Sequence, residues 1–239
     1  LLMLDTRSIY RDKQLNIEDY FDGNTINNSK YKKDLSLERK LIGLEQILWI
    51  KNNLNKKFKW SIIGQQVLMA QVYLPTIFAN MNKKILPDYL HKYLKIGGSN
   101  VPYNTDAWDG YPKERERLFK ELKKANSVLV LTGDTHNSWI NNLYDKNNNF
   151  IGVEIGAPAI SSPNTIDTFG SLTNAIEEGF VKENKNVKWT EGKHKGYALL
   201  KLTKDKSEVS FIYVNTVKSK VYEVIDTNKF NINPNRPII

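Results

Sequence analysis

Hydrophobic residues occur along this chain in short blocks separated by polar segments, and the blocks predict strands. Apolar runs of a few residues bounded by turn-forming residues are typical of strands. Such runs occur in "LLMLDTRS", "WSIIGQQVLM" and "SVLVLTG", and later in "FIGVEIGA", "GYALLKL", "EVSFIYVN" and "KVYEVIDT". We expect residues 126–133 to form a central strand whose carboxyl end lies beside that of residues 60–65, where the earlier strand ends near Gly64.

A segment between these strands has the spacing of a helix. From Leu35 to Leu54 apolar residues recur at helical intervals, and Ser36 is the predicted N-cap. Trp49 is expected to complete the contact with the sheet. The stripe predicted to be buried consists of Leu37, Leu41, Leu44 and Leu48.

A second helix is predicted over residues 112–125. Pro112 suits the first turn of a helix, and Leu118 and Leu122 share one face. Residues 71–104, which precede this helix, are predicted to be a long insertion with short-helix character. Strand, helix, strand, helix and strand, followed by antiparallel strands, predict an α/β fold.

Composition places the chain among globular proteins. Its 239 residues are 40% hydrophobic and 11% aromatic, which allows a core of ordinary size. The sequence has no cysteine, so disulfides and cysteine-based zinc sites are excluded. No apolar run approaches the roughly 18 residues of a membrane span, and the first residues do not resemble a signal peptide. We assign residues 1–227 to one domain and 228–239 to an irregular tail.

The net charge of +9 raises the question of an anionic partner. Lysine and asparagine are spread along the chain, as in "KNNLNKKFKW", and do not form one long basic block. This distribution favours a solvated lysine-rich surface, and no specific nucleic-acid partner is predicted. A nucleic-acid-binding protein stays as an alternative, and its binding would fall steeply with salt.

Polar residues suited to a binding site follow the strand "SVLVLTG" directly. Asp134 and His136 are two residues apart, so in an extended chain they would project to the same side. Open α/β sheets bind ligands beyond the carboxyl ends of their strands, and aspartate and histidine are good ligands for hard or borderline cations. The alternative is an Asx-type turn with a partly buried histidine.

The order of several motifs favours the metal site. "TGDTHNSW" follows "DAWDGYPKER", and both follow "LDTRSIYRDKQ", "LEQILWI" and "WSIIGQQVLMA". This ordered set resembles the PhoD-like alkaline phosphatases, a branch of the calcineurin-like metallophosphoesterases, from about Leu2 to Thr227. The resemblance implies an αββα sandwich of mixed sheets flanked by helices, and a hydrolase of phosphate esters.

The resemblance also implies a cofactor and a mechanism. Two or more metal ions are expected, iron and calcium, with His136 on the iron-like ion and Asp134 on the calcium-like one. Such a pair neutralises phosphate oxygens and lowers the pKa of a bound water, whose hydroxide attacks phosphorus in line. The expected substrate is a small phosphate ester or a phospholipid, with phosphodiesterase or phospholipase-type activity as the alternative to phosphomonoesterase. The resemblance to this family also implies that the protein is exported.

Further site residues are predicted from the other motifs. Gln65, or its neighbour Gln66, is expected to bind a calcium-like ion through its amide oxygen, unless that amide bonds backbone at the strand end. Arg7 is the predicted catalytic contact to phosphate, and it shares a strand face with Asp5, although the two could also belong to a structural ion-pair network. Asp109 is the second predicted catalytic residue. The pocket wall is predicted from Asp5, Trp108 and Tyr111, the alternative being that the two rings pack beneath their loop.

The chain departs from the family pattern in one respect. The earlier motifs of the family supply a bridging aspartate and tyrosine and an asparagine–histidine pair, and the sequence contains no "GDxxY" or "NH" segment. We expect these motifs upstream of Leu1, so that this chain is the C-terminal half of the catalytic domain, incomplete at its N-terminal side. Alone it is predicted to be weakly active or inactive. A binding module that keeps the fold without catalysis is the alternative.

Overall fold

The computed structural model describes residues 1–54 and 56–238, which form a mixed α/β structure. Its strands in chain order are β1 Leu2–Met3, β2 Phe21–Asp22, β3 Thr25–Ile26, β4 Ser61–Gly64, β5 Val128–Thr132, β6 Ser138–Tyr144, β7 Phe150–Gly156, β8 Val187–Glu191, β9 Lys195–Leu202, β10 Ser207–Val214 and β11 Val224–Asn231. The helices are α1 Asn28–Leu35, α2 Gly43–Asn53, α3 His91–Ile96, α4 Pro112–Leu122, α5 Thr165–Phe169 and α6 Thr173–Glu183.

In the described part of the chain, the largest sheet has the strand order β1-β4-β5-β7-β6-β8. Strands β1, β4, β5 and β7 are mutually parallel, whereas β6 runs antiparallel to both β7 and β8. Gly64 of β4 pairs with Leu131 of β5, so the carboxyl ends of these two strands meet. This confirms the predicted adjacency of residues 60–65 and 126–133, and β5 is a central strand as expected.

A second sheet, with the order β11-β10-β9, packs on one face of the large sheet. The apolar layer between them joins Leu129 and Val153 of the large sheet to Val209 and Phe211 of β10. The opposite face of the large sheet carries the helices. Because neighbouring residues of a strand point to opposite faces, Val130 belongs to the helical side whereas Leu129 belongs to the layer between the sheets.

Of the predicted αββα sandwich, the described residues form two β layers and one helical layer. On the outer face of the second sheet, Tyr197 and Leu199 of β9 are both more than half exposed. The second helical layer is therefore not seen in residues 1–54 and 56–238. Across those same residues, no helix is both long and apolar enough to cross a membrane.

The predicted helix from Leu35 to Leu54 is wrong in its bounds. Ser36 is the C-cap of α1, where its Oγ donates to the Lys33 carbonyl at 2.6 Å, and α2 begins at Gly43. The cause is a distant carboxylate. Buried Glu114 of α4 accepts hydrogen bonds from the backbone N–H groups of Leu41, Ile42 and Gly43, so it satisfies the donors at which α2 starts.

The predicted leucine stripe is wrong for the same reason. Leu41 is buried, but the other members of the stripe and Trp49 are exposed: Leu37, Leu44 and Leu48. Starting the helix at Gly43 turns a different face toward the core, and Ile47 and Ile50 occupy it.

Strands β6 and β11 differ from the predictions. The strand expected in "KVYEVIDT" is β11, which continues to Asn231, so the irregular tail does not begin at residue 228. Strand β6 was not predicted, because Asn141 and Asn142 interrupt its apolar residues. Both are fully buried, and the Asn141 side chain donates to Glu154 at 2.9 Å.

Candidate active site at the carboxyl edge of the large sheet

One edge of the large sheet collects the loops that carry most of the predicted site residues. The parallel strands β1, β4 and β5 end there, and they are followed by Asp5–Arg7, Gln65–Gln66 and Gly133–His136. Backbone hydrogen bonds hold these loops together, since Gln65 N–H donates to the Leu131 carbonyl at 3.0 Å and Gly133 N–H to that of Gln66 at 3.2 Å. The edge expected from the sequence is therefore the one on which the residues meet.

The loop that carries Asp134 and His136 has an unusual backbone. Both residues have positive φ angles, 70° and 65°, and Thr135 N–H donates to the Gly133 carbonyl at 2.8 Å. Aspartate and histidine tolerate this region better than most residues, yet it still carries strain. The loop is thus not the extended chain assumed in the sequence prediction. Strained loop conformations of this kind concentrate at functional sites.

The ring of His136 is fixed by a backbone carbonyl. Its Nδ1 lies 2.7 Å from the carbonyl oxygen of Pro163 and acts as the donor, because a carbonyl can only accept. Nδ1 therefore carries a proton, so in the neutral ring the lone pair is on Nε2. Histidines that bind metals are commonly oriented in this way.

Arg7 joins the end of β1 to the end of β5. Its Nη2 donates to Oδ1 of Asp134 at 2.6 Å, and its Nη1 donates to Oδ2 of Asp106 at 2.5 Å. All three side chains are about one-third exposed, so they are accessible to a ligand. Burial alone would lower the pKa of Arg7, but its hydrogen bond to Asp106 and its attraction to Asp134 raise it.

Arg11 is a site residue that the sequence prediction missed, and it contacts Asp106. Arg11 Nη2 donates to Oδ1 of Asp106 at 2.5 Å, so Asp106 is held between two guanidinium groups. Arg11 also lies over the ring of Tyr111, with 5.2 Å between the guanidinium carbon and the ring centroid. The motif "LDTRSIYR" places a second arginine four residues after Arg7, and that spacing was the available indication.

Asp5 has a local role in the same loop. Its Oδ1 accepts hydrogen bonds from the backbone N–H groups of Ser8 and Arg7, each at 2.8 Å, and these bonds lower the pKa of Asp5. The carboxylate therefore shapes the turn that presents Arg7. Its predicted place in the substrate pocket has no contact that supports it.

Gln65 is engaged by its neighbours. Its amide oxygen accepts from Val67 N–H at 3.1 Å and from the indole of Trp108 at 3.2 Å, and its amide nitrogen donates to the Val67 carbonyl. Because the amide oxygen already accepts two hydrogen bonds, the geometry favours the alternative, in which this amide closes the strand end, over the predicted role as a metal ligand. The neighbouring Gln66 accepts from the backbone and hydroxyl of Thr6.

The predicted roles of Asp109, Trp108 and Tyr111 are corrected by their burial. Asp109 is 4% exposed, pairs with Arg115 at 2.6 Å and accepts from Val72 N–H at 3.0 Å. Burial raises its pKa, against the attraction of Arg115. Trp108 and Tyr111 are 0% and 1% exposed, so they pack beneath the loop and do not wall a pocket. This pairing and burial favour a structural role for Asp109 over the predicted catalytic one.

A second histidine lies near this edge. His194 Nδ1 is 2.8 Å from Oε1 of Glu191, and burial raises the pKa of that glutamate although His194 opposes the rise. The backbone carbonyl of His194 accepts from the Asn164 side chain at 3.2 Å, next to the Pro163 carbonyl that holds His136. One loop therefore contacts both histidines.

Asp134 and His136 have the chemistry of metal ligands but are few in number. Their donor atoms are a solvent-accessible carboxylate and a ring nitrogen with a fixed tautomer. Protein metal sites usually use three or four ligands. Across residues 1–54 and 56–238, no group of three or more His, Cys, Asp or Glu side chains is arranged to hold a metal. The two residues fit as members of a larger ligand set.

Comparisons with known proteins point to one family. The family model described as PhoD-like phosphatase matches residues 1–211. The chain is 32% identical over 205 residues to alkaline phosphatase D of Bacillus subtilis (strain 168). The matched region covers 84% of this chain and 30% of that protein. A solved structure titled "Structure of PhoD" is similar with a TM-score of 0.67 and 27% identity, covering 97% of this chain and 39% of that one.

The chain therefore spans between 30% and 39% of the length of these two relatives. The resemblance inferred from the order of the motifs is confirmed by all three comparisons. This chain belongs to the PhoD-like phosphatase family.

Proposed function

We propose that this chain forms part of the active site of a metal-dependent phosphate-ester hydrolase. The observation that carries the proposal is the hydrogen bond between Arg7 and Asp134, which brings a cation and a carboxylate from two strand ends beside His136. Membership of a phosphatase family gives this arrangement its chemical meaning.

Asp134 and His136 are the proposed metal ligands of this chain. Nδ1 of His136 is held by the Pro163 carbonyl, which leaves Nε2 for the metal. By family resemblance the ions are iron at His136 and calcium at Asp134. Bound there, such ions neutralise phosphate oxygens and lower the pKa of a water molecule.

Arg7 is the proposed phosphate contact. A guanidinium presents paired N–H donors that match two oxygens of a phosphate. Asp106 holds one side of this guanidinium, and the other side, which is bonded to Asp134, would become free for phosphate if Asp134 held a metal.

We further propose that the remaining metal ligands come from residues outside this chain. Asp134 and His136 are too few to hold two ions, and the chain spans 39% of the solved relative. Alone, the chain is therefore expected to be weakly active or inactive. An exported location is proposed from the family, as in the sequence analysis.

The experiment compares ester hydrolysis by this chain and by the longest natural chain that contains it. With iron and calcium supplied, the longer protein should hydrolyse p-nitrophenyl phosphate, and a chelator should abolish the activity. A higher rate on bis-p-nitrophenyl phosphate would instead assign a phosphodiesterase, and a phosphatidylcholine vesicle tests the phospholipase alternative. Absent turnover in a folded protein supplied with metal would reject the hydrolase and favour the binding module. Turnover that a chelator leaves unchanged would reject the proposed metal site.

A further inference from the structure

A cavity of about 220 Å³ lies beside the loop that carries His136. Its walls come from α5 and α6, from β6, and from the insertion 71–104. They are mainly aromatic, with the rings of Phe78, Tyr93, Tyr103, Trp139, Phe169 and Phe180. The described residues that line this cavity include no Asp, Glu, Lys, Arg or His.

The rings of the cavity wall support one another. Phe78 makes edge-to-face contacts with Phe169 at 5.5 Å and with Phe180 at 6.2 Å between ring centroids. Trp139 contacts Phe180 in the same manner at 5.3 Å. Such mutual packing fixes ring orientations before a ligand arrives, and a preformed aromatic wall loses little freedom on binding.

Thr135 and Asn137, two polar residues at the cavity, already have side-chain partners. The hydroxyl of Thr135 accepts from the indole of Trp139 at 2.8 Å, and the side chain of Asn137 bonds Thr165 at 2.7 Å. A ligand therefore meets aromatic rings together with uncharged polar residues, since Asn164, Tyr93 and Tyr103 also line the cavity, while none of the described lining residues is charged. This lining suits an uncharged group with an aromatic or aliphatic surface.

The position of the cavity connects it to the candidate metal ligands. Thr135 and Asn137, the two chain neighbours of His136, both line it. So does Pro163, whose carbonyl holds Nδ1 of His136. A molecule with an apolar part in the cavity would have its adjoining atoms next to the His136 loop.

We propose that this cavity binds the alcohol moiety of the ester substrate, and that this moiety is a single aryl ring or an alkyl group of similar size. The inference rests on the proposed function and adds a substrate class to it. An apolar cavity of about 150 Å³ suffices for benzene. One ring with a short linker matches the volume here, whereas the two acyl chains of a phospholipid exceed it.

The first test is direct binding of benzyl alcohol to the 239-residue chain without metal or phosphate. Saturation-transfer NMR should detect binding to the unmodified chain. Thr168→Trp places an indole into the cavity and should weaken binding at least tenfold. Val181→Trp adds the same side chain to the exposed face of α6 and should leave binding unchanged. Thr168→Phe, a smaller filling change, should give an intermediate loss and serves if the tryptophan variant does not fold.

The second test uses turnover by the longest natural chain. Benzyl phosphate and ethyl phosphate release alcohols of similar acidity, so their ratio of kcat/KM reports the cavity. Thr168→Trp should lower that ratio at least tenfold, and Val181→Trp should not. Equal binding of benzyl alcohol to both tryptophan variants, or none to the unmodified chain, would overturn the inference. If benzyl alcohol binds as expected and neither ester is hydrolysed, the cavity stands and the hydrolase proposal fails.

Discussion

Arg7 donates a hydrogen bond from Nη2 to Oδ1 of Asp134 at 2.6 Å, across 127 positions of the chain. This contact ties the end of β1 to the end of β5, and Asp106 holds the other side of the same guanidinium. Since each partner is about one-third exposed, the contact is accessible to ligand and adds little to folding.

Replacing Arg7 should therefore separate function from stability. Arg7→Met is expected to change the free energy of unfolding by less than about 1 kcal/mol, as for exposed ion pairs. In the longest natural chain it should lower kcat/KM for a phosphate ester by about 10- to 100-fold, the loss expected for a charged hydrogen bond. Arg117→Met, at an arginine more than half exposed on α4, is the matched control. If the two variants had the same kcat/KM, Arg7 would not be a phosphate contact.

The ion pair between Asp109 and Arg115 should behave in the opposite way. Both side chains are less than a tenth exposed, so removing one partner leaves a buried charge unpaired. Arg115→Met is expected to cost about 3–5 kcal/mol of unfolding free energy. Asp106 lies on the same loop as Asp109, but its carboxylate is accessible. Asp106→Asn should therefore cost at most about 1 kcal/mol of unfolding free energy. Urea denaturation measures both, and similar losses would contradict the structural role of Asp109.

The face of α2 that packs on the core can be tested with a pair of truncations. Ile50 is fully buried, so Ile50→Ala should destabilise by about 2–5 kcal/mol. Leu44 is 63% exposed, and Leu44→Ala should stay within about 0.5 kcal/mol of the unmodified protein. Thermal melting followed by circular dichroism distinguishes them. If Leu44→Ala destabilised the protein more than Ile50→Ala, the helix face that was predicted from the sequence would be the buried one.

Glu154 predicts a pH dependence of stability. Burial raises its pKa from 4.5 to about 7, although hydrogen bonds from Met69, Asn141 and Ala70 favour the carboxylate and oppose the rise. Between these values the folded state binds more protons than the unfolded state. The contribution of Glu154 to the unfolding free energy is therefore fully present below about pH 4.5 and is lost as pH rises to about 7, by up to about 3 kcal/mol.

Urea denaturation at pH 5 and pH 7.5 measures this change. Glu154→Gln removes the titrating group, so its stability should vary less between the two pH values, even though the amide fits the three N–H donors poorly. The same pH dependence in both proteins would assign it to other groups.

Several strands were predictable because an apolar run is visible in the local sequence, and the family was predictable because its motifs occur in a recognisable order. Val128 to Thr132 form a short apolar run, and such a run predicts a buried strand before any partner is known. The order of the motifs then indicated the family. Asp134 and His136 were predicted as site residues from their position directly after that strand.

Long-range contacts explain what the sequence could not predict. Glu114 begins α2 at Gly43 from more than 70 positions away, and no local pattern contains that bond. Asn141 lies in a buried strand because Glu154 accepts its side-chain hydrogen bond. In "DAWDGYPKER", Asp109 was predicted to be catalytic, and Trp108 and Tyr111 were predicted to line a pocket. Asp109 instead pairs with Arg115, and both rings are buried in the core.

Metal content and ester turnover of His136→Ala and Asp134→Asn, measured together in the longest natural chain, test the central claim most directly. Each variant should keep its circular dichroism spectrum and lose p-nitrophenyl phosphate hydrolysis, because a metal that lacks a ligand is loosely held. His136→Ala should mainly lose iron and Asp134→Asn mainly calcium. His91→Ala, whose ring contacts the carbonyls of Lys83 and Leu86, is the control and should keep both metals and its activity. Full metal content and full turnover in both site variants would contradict the account and show that residues 133–137 form only a turn.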